Sequence, residues 1–273
     1  MEIFTGDTSE EDFAPAEGKE PPLPPVDLLD RLLFPVFVLV FLGVLVFFEG
    51  VQRIAVLLGP RWHDKAAAAL NRNVLRSLRI LGTRFDIRGI APLPLDRPLL
   101  VISNHQSMFD VSTLHSIFGP HHARFVAKRE LSRGIPSVSY CLRASGAAII
   151  DRKDPSQALP EINKLGERAA QNNFGIVIFP EGTRARRGAL KEFRRRGVTT
   201  LLDVLPHATV VPVALDNSWK IASRPSGPVP RCITIHVRVG IPIERKGLSS
   251  NEIVDEAQKR VKSMLEEIRS EFE

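Results

Sequence analysis

The sequence predicts an α/β fold, a largely parallel or mixed sheet flanked by helices, preceded by an N-terminal hydrophobic membrane helix or helical hairpin. Three observations carry that expectation. Short apolar and β-branched runs recur at residues 99–102, 124–127, 147–150, 175–179, 210–215 and 233–239. Segments of helical length separate several of these runs, the alternation expected of buried parallel strands joined by helical crossovers. Residues 32–48 form an unbroken stretch without a charged or strongly polar side chain. At 273 residues, 44% apolar and 25% charged, the chain can bury a full core, which excludes wholesale disorder.

In chain order, residues 1–25 read as an acidic, proline-rich, disordered leader that cannot assemble a core and lacks the basic start of a secretory signal. Residues 26–82 read as a membrane-associated helical segment. Its apolar stretch, 32–48, would run roughly 25 Å as a helix, the short end of what a bilayer core requires. Pro35 falls in the first turn of that helix, where proline is tolerated. Glu49 and Arg53 end the run, and a second apolar piece follows at 54–58. Two readings stay open, a thin single span or a helix that enters one leaflet and returns. If the stretch spans, Arg53, Arg61, Lys65 and Arg72 place the downstream domain in the cytoplasm. Residues 65–81 form an amphipathic helix, with Leu70, Val74, Leu78 and Leu81 on one face and Arg72, Arg76 and Arg79 opposite. That pattern suits an anionic membrane surface as well as a helix covering a domain.

Residues 83–273 hold the α/β domain, with helices expected at 155–172, 197–205 and 251–272. The last keeps Ile253, Val254, Ala257, Val261, Met264, Leu265 and Ile268 on one broad face. The charge is uneven. Residues 1–30 carry nine acidic side chains and only Lys19 as a base, so a total of +6 leaves the rest strongly basic. A basic body points to nucleic acid, an anionic lipid surface or a phosphorylated substrate, unless the basic surface is merely solvated.

Chemistry-bearing residues cluster where strands end, the position at which open α/β sheets build their sites. After the strand at 99–102 comes Ser103-Asn104-His105-Gln106-Ser107-Met108-Phe109-Asp110. Five positions apart on one helix would point His105 and Asp110 about 140° away from each other, so they meet only if His105 lies in the turn and Asp110 on the following helix. Together they form a general base whose carboxylate fixes the tautomer and stabilises the imidazolium. An isolated histidine serving as a cap is the plainer alternative. After the strand at 175–179 come Pro180-Glu181-Gly182-Thr183-Arg184, with Gly182 permitting a tight turn and Arg184 offering a planar fork of donors to a phosphate. Lys128 ends the 124–127 run, and Asp151-Arg152 follow the 147–150 run. One base with several converging cations is the inventory for deprotonating a hydroxyl on a phosphorylated acceptor.

These stretches resemble the 1-acylglycerol-3-phosphate acyltransferase family over roughly residues 80–245. Asn104 to Asp110 looks like its His-x4-Asp motif, Gly146 to Arg152 like the second motif, Phe179 to Arg184 like the third, and Val211-Pro212 like the fourth. The resemblance implies that His105 and Asp110 are catalytic, and that Lys128, Arg152, Glu181, Gly182, Thr183 and Arg184 serve the acceptor phosphate and the architecture of the site. It further implies acyl transfer from acyl-CoA or acyl-carrier protein to the sn-2 hydroxyl of lysophosphatidate, giving phosphatidate; the basic residues after the apolar stretch place that reaction at the cytoplasmic face of the inner or cell membrane. Two departures stand out. Phe193 and Gly197 enclose three residues where many members have Phe-x-x-Gly, and Ser139 stands where a glycine is expected.

No metal or other cofactor is expected, the thioester donor being a co-substrate. Cys141 and Cys232 lie in no nucleophile motif, so no acyl-enzyme is expected. Another lysolipid acceptor, such as a lyso-ornithine lipid or a lysophospholipid, would keep the chemistry. A membrane-tethered nucleic-acid binder using the basic stretch 184–196 is the alternative of another class, but nucleic acid is not the expected partner. The chain has fifteen Phe, largely in apolar segments, against one Tyr and two Trp, so no stacking platform interleaves with the arginines.

Overall fold

The computed structural model describes residues 22–224 and 227–272, so most of the leader expected at 1–25 lies outside the described residues. Helix α1 (Leu28–Leu57) begins with a capping box. The Asp27 carboxylate accepts from Asp30 N at 2.9 Å and the Asp30 carboxylate from Asp27 N at 2.7 Å. Asp30 is buried because it also receives Arg231 N at 3.0 Å, which anchors this early turn. The helix therefore starts before the apolar stretch, and Pro35 lies in its interior rather than in its first turn, leaving the Arg31 carbonyl without an intrahelical donor. Nor do Glu49 and Arg53 end it. Four residues apart, they pair at 2.6 Å on the helix surface, and α1 runs on through 54–57 as one element.

A turn at Gly59 (φ +107°) leads to α2 (Pro60–Ser77) and a 3₁₀ turn at Leu78–Leu81. Leu70, Val74, Leu78 and Leu81 are buried, and Arg72, Arg76 and Arg79 are exposed, as the amphipathic pattern predicted. The α/β domain follows: β1 (Arg84–Arg88), β2 (Leu99–Ser103), α3 (Phe109–Ile117), β3 (Arg124–Lys128), α4 (Val138–Ala144), β4 (Ala148–Ile150), α5 (Pro155–Asn172), β5 (Ile176–Ile178), α6 (Arg195–Val204), β6 (Thr209–Asp216), α7 (Ser218–Ile221), β7 (Thr234–Val239) and α8 (Ser250–Phe272).

Among the described residues the strands form one seven-stranded sheet in the order β1-β7-β6-β2-β5-β3-β4, parallel except where β6 meets β7. Strand alternation splits its side chains between two cores. Leu100, Ile102, Ile176, Ile178, Val210 and Ala214 pack against α5, α6 and α8. Leu99, Val101, Val177, Val211, Val213 and Leu215 face α1, α2 and α3. From β2 the chain goes one way in the sheet to β3, and from β5 it crosses back past β2 to β6. The loops leaving β2 and β5 therefore diverge at the centre of the sheet, the switch point at which such folds hold their ligands.

Candidate active site

The site is built at that divergence. Strand β2 is buried over its whole length and ends at Ser103, so residues 104–107 form a turn and α3 carries Asp110 in its first turn. This is the geometry the spacing demanded. His105 Nδ1 lies 2.9 Å from Asp110 Oδ2, and the same oxygen accepts Gln106 N at 2.6 Å and Ser107 N at 2.7 Å. Asp110 is fully buried, and these donors, with the adjacent start of α3, compensate for the loss of water around its charge. Its other oxygen, Oδ1, accepts the Ser218 hydroxyl at 2.6 Å. Since Nδ1 is engaged, Nε2 is the nitrogen left to take a proton.

His105 is held along its backbone as well. Its N–H donates to Glu181 Oε1 at 2.7 Å, and its carbonyl accepts Ala185 N at 2.6 Å. Its ring stacks on Phe179 with centroids 4.2 Å apart. Burial lowers the His105 pKa below its usual 6.5, chiefly by desolvation; Asp110 opposes this, and Arg184 and Arg152 add to it. A neutral imidazole at neutral pH is what a general base requires.

Glu181 bridges the two loops, since its second oxygen accepts Lys191 N at 3.1 Å. Its carboxyl is pushed up to about 8 by burial, against the pull of both backbone donors. Gly182 has φ +74°, and a Cβ there would sit 3.1 Å from the Arg194 side chain, so glycine serves both the turn and the close approach. Thr183 accepts Lys191 Nζ at 2.7 Å, a bond internal to the loop.

Arg184 and Arg152 are half-buried, and burial lowers the pKa of each, that of Arg152 to about 10, with Arg194 and Arg184 adding repulsion there. Among the described residues neither has a carboxylate partner at salt-bridge distance. Guanidiniums kept half-dry and unneutralised form a site for an anion. Lys128 stands at the end of β3 but turns to Glu130 at 3.2 Å. Beside Arg152 opens a cavity of about 820 Å³, lined by apolar Val126, Ile150, Ala158, Ile162, Ile178 and Phe193 and by charged Glu192, Arg194, Arg195 and Arg196.

The two departures have local accounts. Ser139, in the first turn of α4, donates its hydroxyl to Leu131 O at 2.9 Å and accepts Ile135 N at 3.0 Å, tying the helix to the loop before it through contacts that a glycine could not make. Phe193 is buried in the core, and the longer spacing starts α6 at Arg195 and lays Gly197 over Ile162 and Ile178. Cys141 is pushed up to about 12 by burial, so its thiol stays protonated and unreactive.

The corner between β6 and α7 was not singled out by sequence. Leu215 pairs with the Asn104 side chain through two bonds of 2.8 Å, Asp216 holds Gln106 Nε2 at 3.0 Å, and Ser218 reaches Asp110. Asp216-Asn217-Ser218 follow a buried strand, the same strand-then-polar pattern that marked the other loops.

Residues 84–216 match the family model described as Acyltransferase. The chain is 30% identical over 195 residues to the 1-acyl-sn-glycerol-3-phosphate acyltransferase of Pseudomonas aeruginosa, covering 71% of this chain and 72% of that one. It is 28% identical over 230 residues to the alpha form from Ovis aries, covering 80% and 77%. Its fold matches the crystal structure of the 1-acyl-sn-glycerophosphate (LPA) acyltransferase PlsC from Thermotoga maritima, with a TM-score of 0.70 at 23% identity, over 89% of this chain and 95% of that one.

Proposed function

The chain belongs to the 1-acyl-sn-glycerol-3-phosphate acyltransferase family, and from that premise we propose that it moves a fatty acyl group from acyl-CoA or acyl-carrier protein to the sn-2 hydroxyl of lysophosphatidate, giving phosphatidate for phospholipid synthesis. The observation that carries this reading is the buried His105–Asp110 pair, 2.9 Å apart, beside the unneutralised guanidiniums of Arg152 and Arg184. His105 Nε2 takes the proton of the acceptor hydroxyl as its oxygen attacks the thioester carbonyl. Asp110 stabilises the imidazolium. Collapse of the tetrahedral adduct breaks the C–S bond, and the imidazolium returns its proton to the departing thiolate, leaving ester and free thiol.

Arg184 and Arg152 receive the phosphate monoester of the acceptor. Glu181 sets the His105 backbone, while Gly182 and Thr183 shape the loop that presents Arg184; Lys128 stands at the end of β3, paired with Glu130. The apolar part of the cavity beside Arg152 suits a fatty acyl chain.

The membrane reading rests on α1. Its 30 residues have a mean hydropathy of 2.7 over the most apolar window, and only 22% of that window is buried. Leu32, Leu39, Val46, Phe47 and Leu57 are exposed, while Phe37, Phe41, Leu45 and Phe48 pack into the domain. Ser137 N donates to Glu49 Oε2 at 2.6 Å and Ser137 Oγ to Leu45 O at 2.6 Å. A helix bound along one side from Asp30 to Gln52 cannot stand upright in a bilayer without carrying the domain into hydrocarbon. This favours insertion of the outer face into one leaflet, with Arg72, Arg76 and Arg79 available to lipid phosphates. The cytoplasmic leaflet is the one its thioester donors can reach.

The test is an acceptor panel with one acyl-CoA and the full chain in mixed micelles. Lysophosphatidate should exceed a phosphate-free lysolipid such as a lyso-ornithine lipid in kcat/KM, and His105→Ala should lower kcat by about 10²–10⁴-fold. Arg184→Lys should weaken lysophosphatidate use, and Arg184→Ala more, by roughly ten- to hundredfold for a loss of about 1.5–3 kcal/mol. Equal use of both acceptors, unaffected by Arg184→Ala, would remove the phosphate assignment. A His105→Ala enzyme with native kcat would remove the chemistry.

A further inference from the structure

We propose that Ser218 is a positioning residue of the transfer reaction, acting through Asp110, a role that rests on His105 and Asp110 being the catalytic pair. Asp110 has two oxygens with unequal surroundings. Oδ2 collects all three contacts made by its own loop, from His105, Gln106 and Ser107. Oδ1 has one donor, the Ser218 hydroxyl at 2.6 Å, from a residue 108 positions away. Asp110 is 0% and Ser218 1% exposed, so solvent does not share that oxygen. A hydroxyl has a single proton, and here it is committed to the carboxylate. Without it, Oδ1 would be a buried, charged acceptor with nothing to meet, free to rotate Oδ2 away from Nδ1 or to bind a proton itself.

The corner that presents Ser218 is built to hold it in place. Leu215 is clamped to Asn104 by two bonds, Asn217 adopts φ +66° and donates to Thr234 O at 3.2 Å, and Asp216 Oδ1 accepts Gln106 Nε2 at 3.0 Å. Asn104, Gln106 and Asp110, on either side of His105 in the chain, are thus each engaged by the segment Leu215 to Ser218. Glu181 and Ala185 hold His105 itself from β5's loop. The base is oriented by one loop and its carboxylate by the other.

A hydroxyl that merely fills space affects stability. One that orients Asp110 sets how tightly the coupled pair binds its proton. Removing a donor to the ionised carboxylate raises the proton affinity of the His105–Asp110 pair, whichever member takes the proton, and either protonation disables the base. Ser218→Ala and the nearly isosteric Ser218→Cys should therefore move the acid limb of the kcat profile to higher pH by about one unit, on the order of tenfold in proton affinity. On the acid side of the limb kcat should fall on the order of tenfold relative to the native enzyme, with KM for lysophosphatidate and acyl-CoA held, because Ser218 is 1% exposed and closed off from both substrates.

The measurement is a kcat and KM pH profile of the full chain in mixed micelles, with Tm recorded for each variant. The cysteine variant keeps the test usable if the alanine variant does not fold. An acid limb that stays in place overturns the proposal, whether or not Tm falls, since that is the signature of a packing role. His105→Ala, run alongside, separates the two levels. If it is inactive while the limb of the Ser218 variants stays put, only the role of Ser218 is lost; if it is active, the catalytic pair is lost as well.

Discussion

Glu181 shows how one side chain can join two loops and leave a trace in the pH dependence of the whole protein. Its oxygens accept His105 N and Lys191 N, yet burial raises its pKa from 4.5 to about 8. A raised pKa means the folded chain holds the proton more tightly than the unfolded one. The stability this provides is complete below 4.5 and is lost as pH rises through about 8. Glu181→Gln, neutral at every pH, should gain on the native protein across that interval. Tm values of the two at acid, neutral and mildly alkaline pH test this, and a constant difference would contradict it. His105 and Asp110 were legible in the sequence because their relation is local, a strand end, a turn and the first turn of a helix. The roles of Glu181 and Ser218 were not, because their partners lie 76 and 108 positions away and only the sheet brings them near.

At the scale of elements, α1 has two faces with separate duties. Phe37 and Phe41 stack at 5.8 Å, and both meet Phe109, at 6.4 and 6.0 Å. Phe41→Ala should cost about 3–5 kcal/mol, read as a fall in Tm, while vesicle binding still resists high salt because the outer face is intact. Phe47→Glu, at a position 66% exposed, should do the opposite, weakening binding to vesicles with little change in Tm. A variant pair that fails to separate in this way would contradict the division. Sequence periodicity revealed α2 and the long α5 and α8 well, since each buries a regular stripe. It missed β1, in which three of the five residues, Arg84, Asp86 and Arg88, are charged because the strand is an edge, hydrogen-bonded only to β7. It also placed the start of α1 too late, because the capping box and the Arg231 contact that begin the helix lie outside the apolar run.

Across the whole molecule, the sheet is covered on one face by α5, α6 and α8, and on the other by α1, α2 and α3. The face that carries the outward apolar surface is the one that carries the loop of His105 and Asp110. Phe109, packed on α1, is followed directly in the chain by Asp110, so the helix with the outward apolar face also backs the His105–Asp110 pair. Seated in a bilayer through that surface, as proposed, the enzyme would meet its acceptor in two dimensions. The quantity that sets its rate is then the number of lysophosphatidate molecules per unit of membrane area, and molarity in the surrounding water matters only through that number. Diluting the acceptor with inert phospholipid at fixed bulk concentration should lower the rate along a saturation curve in mole fraction. Adding more vesicles of unchanged composition, once all the enzyme is bound, should leave the rate unchanged. Dependence on bulk molarity alone would mean that the acceptor arrives through water and that the apolar face of α1 has another occupation.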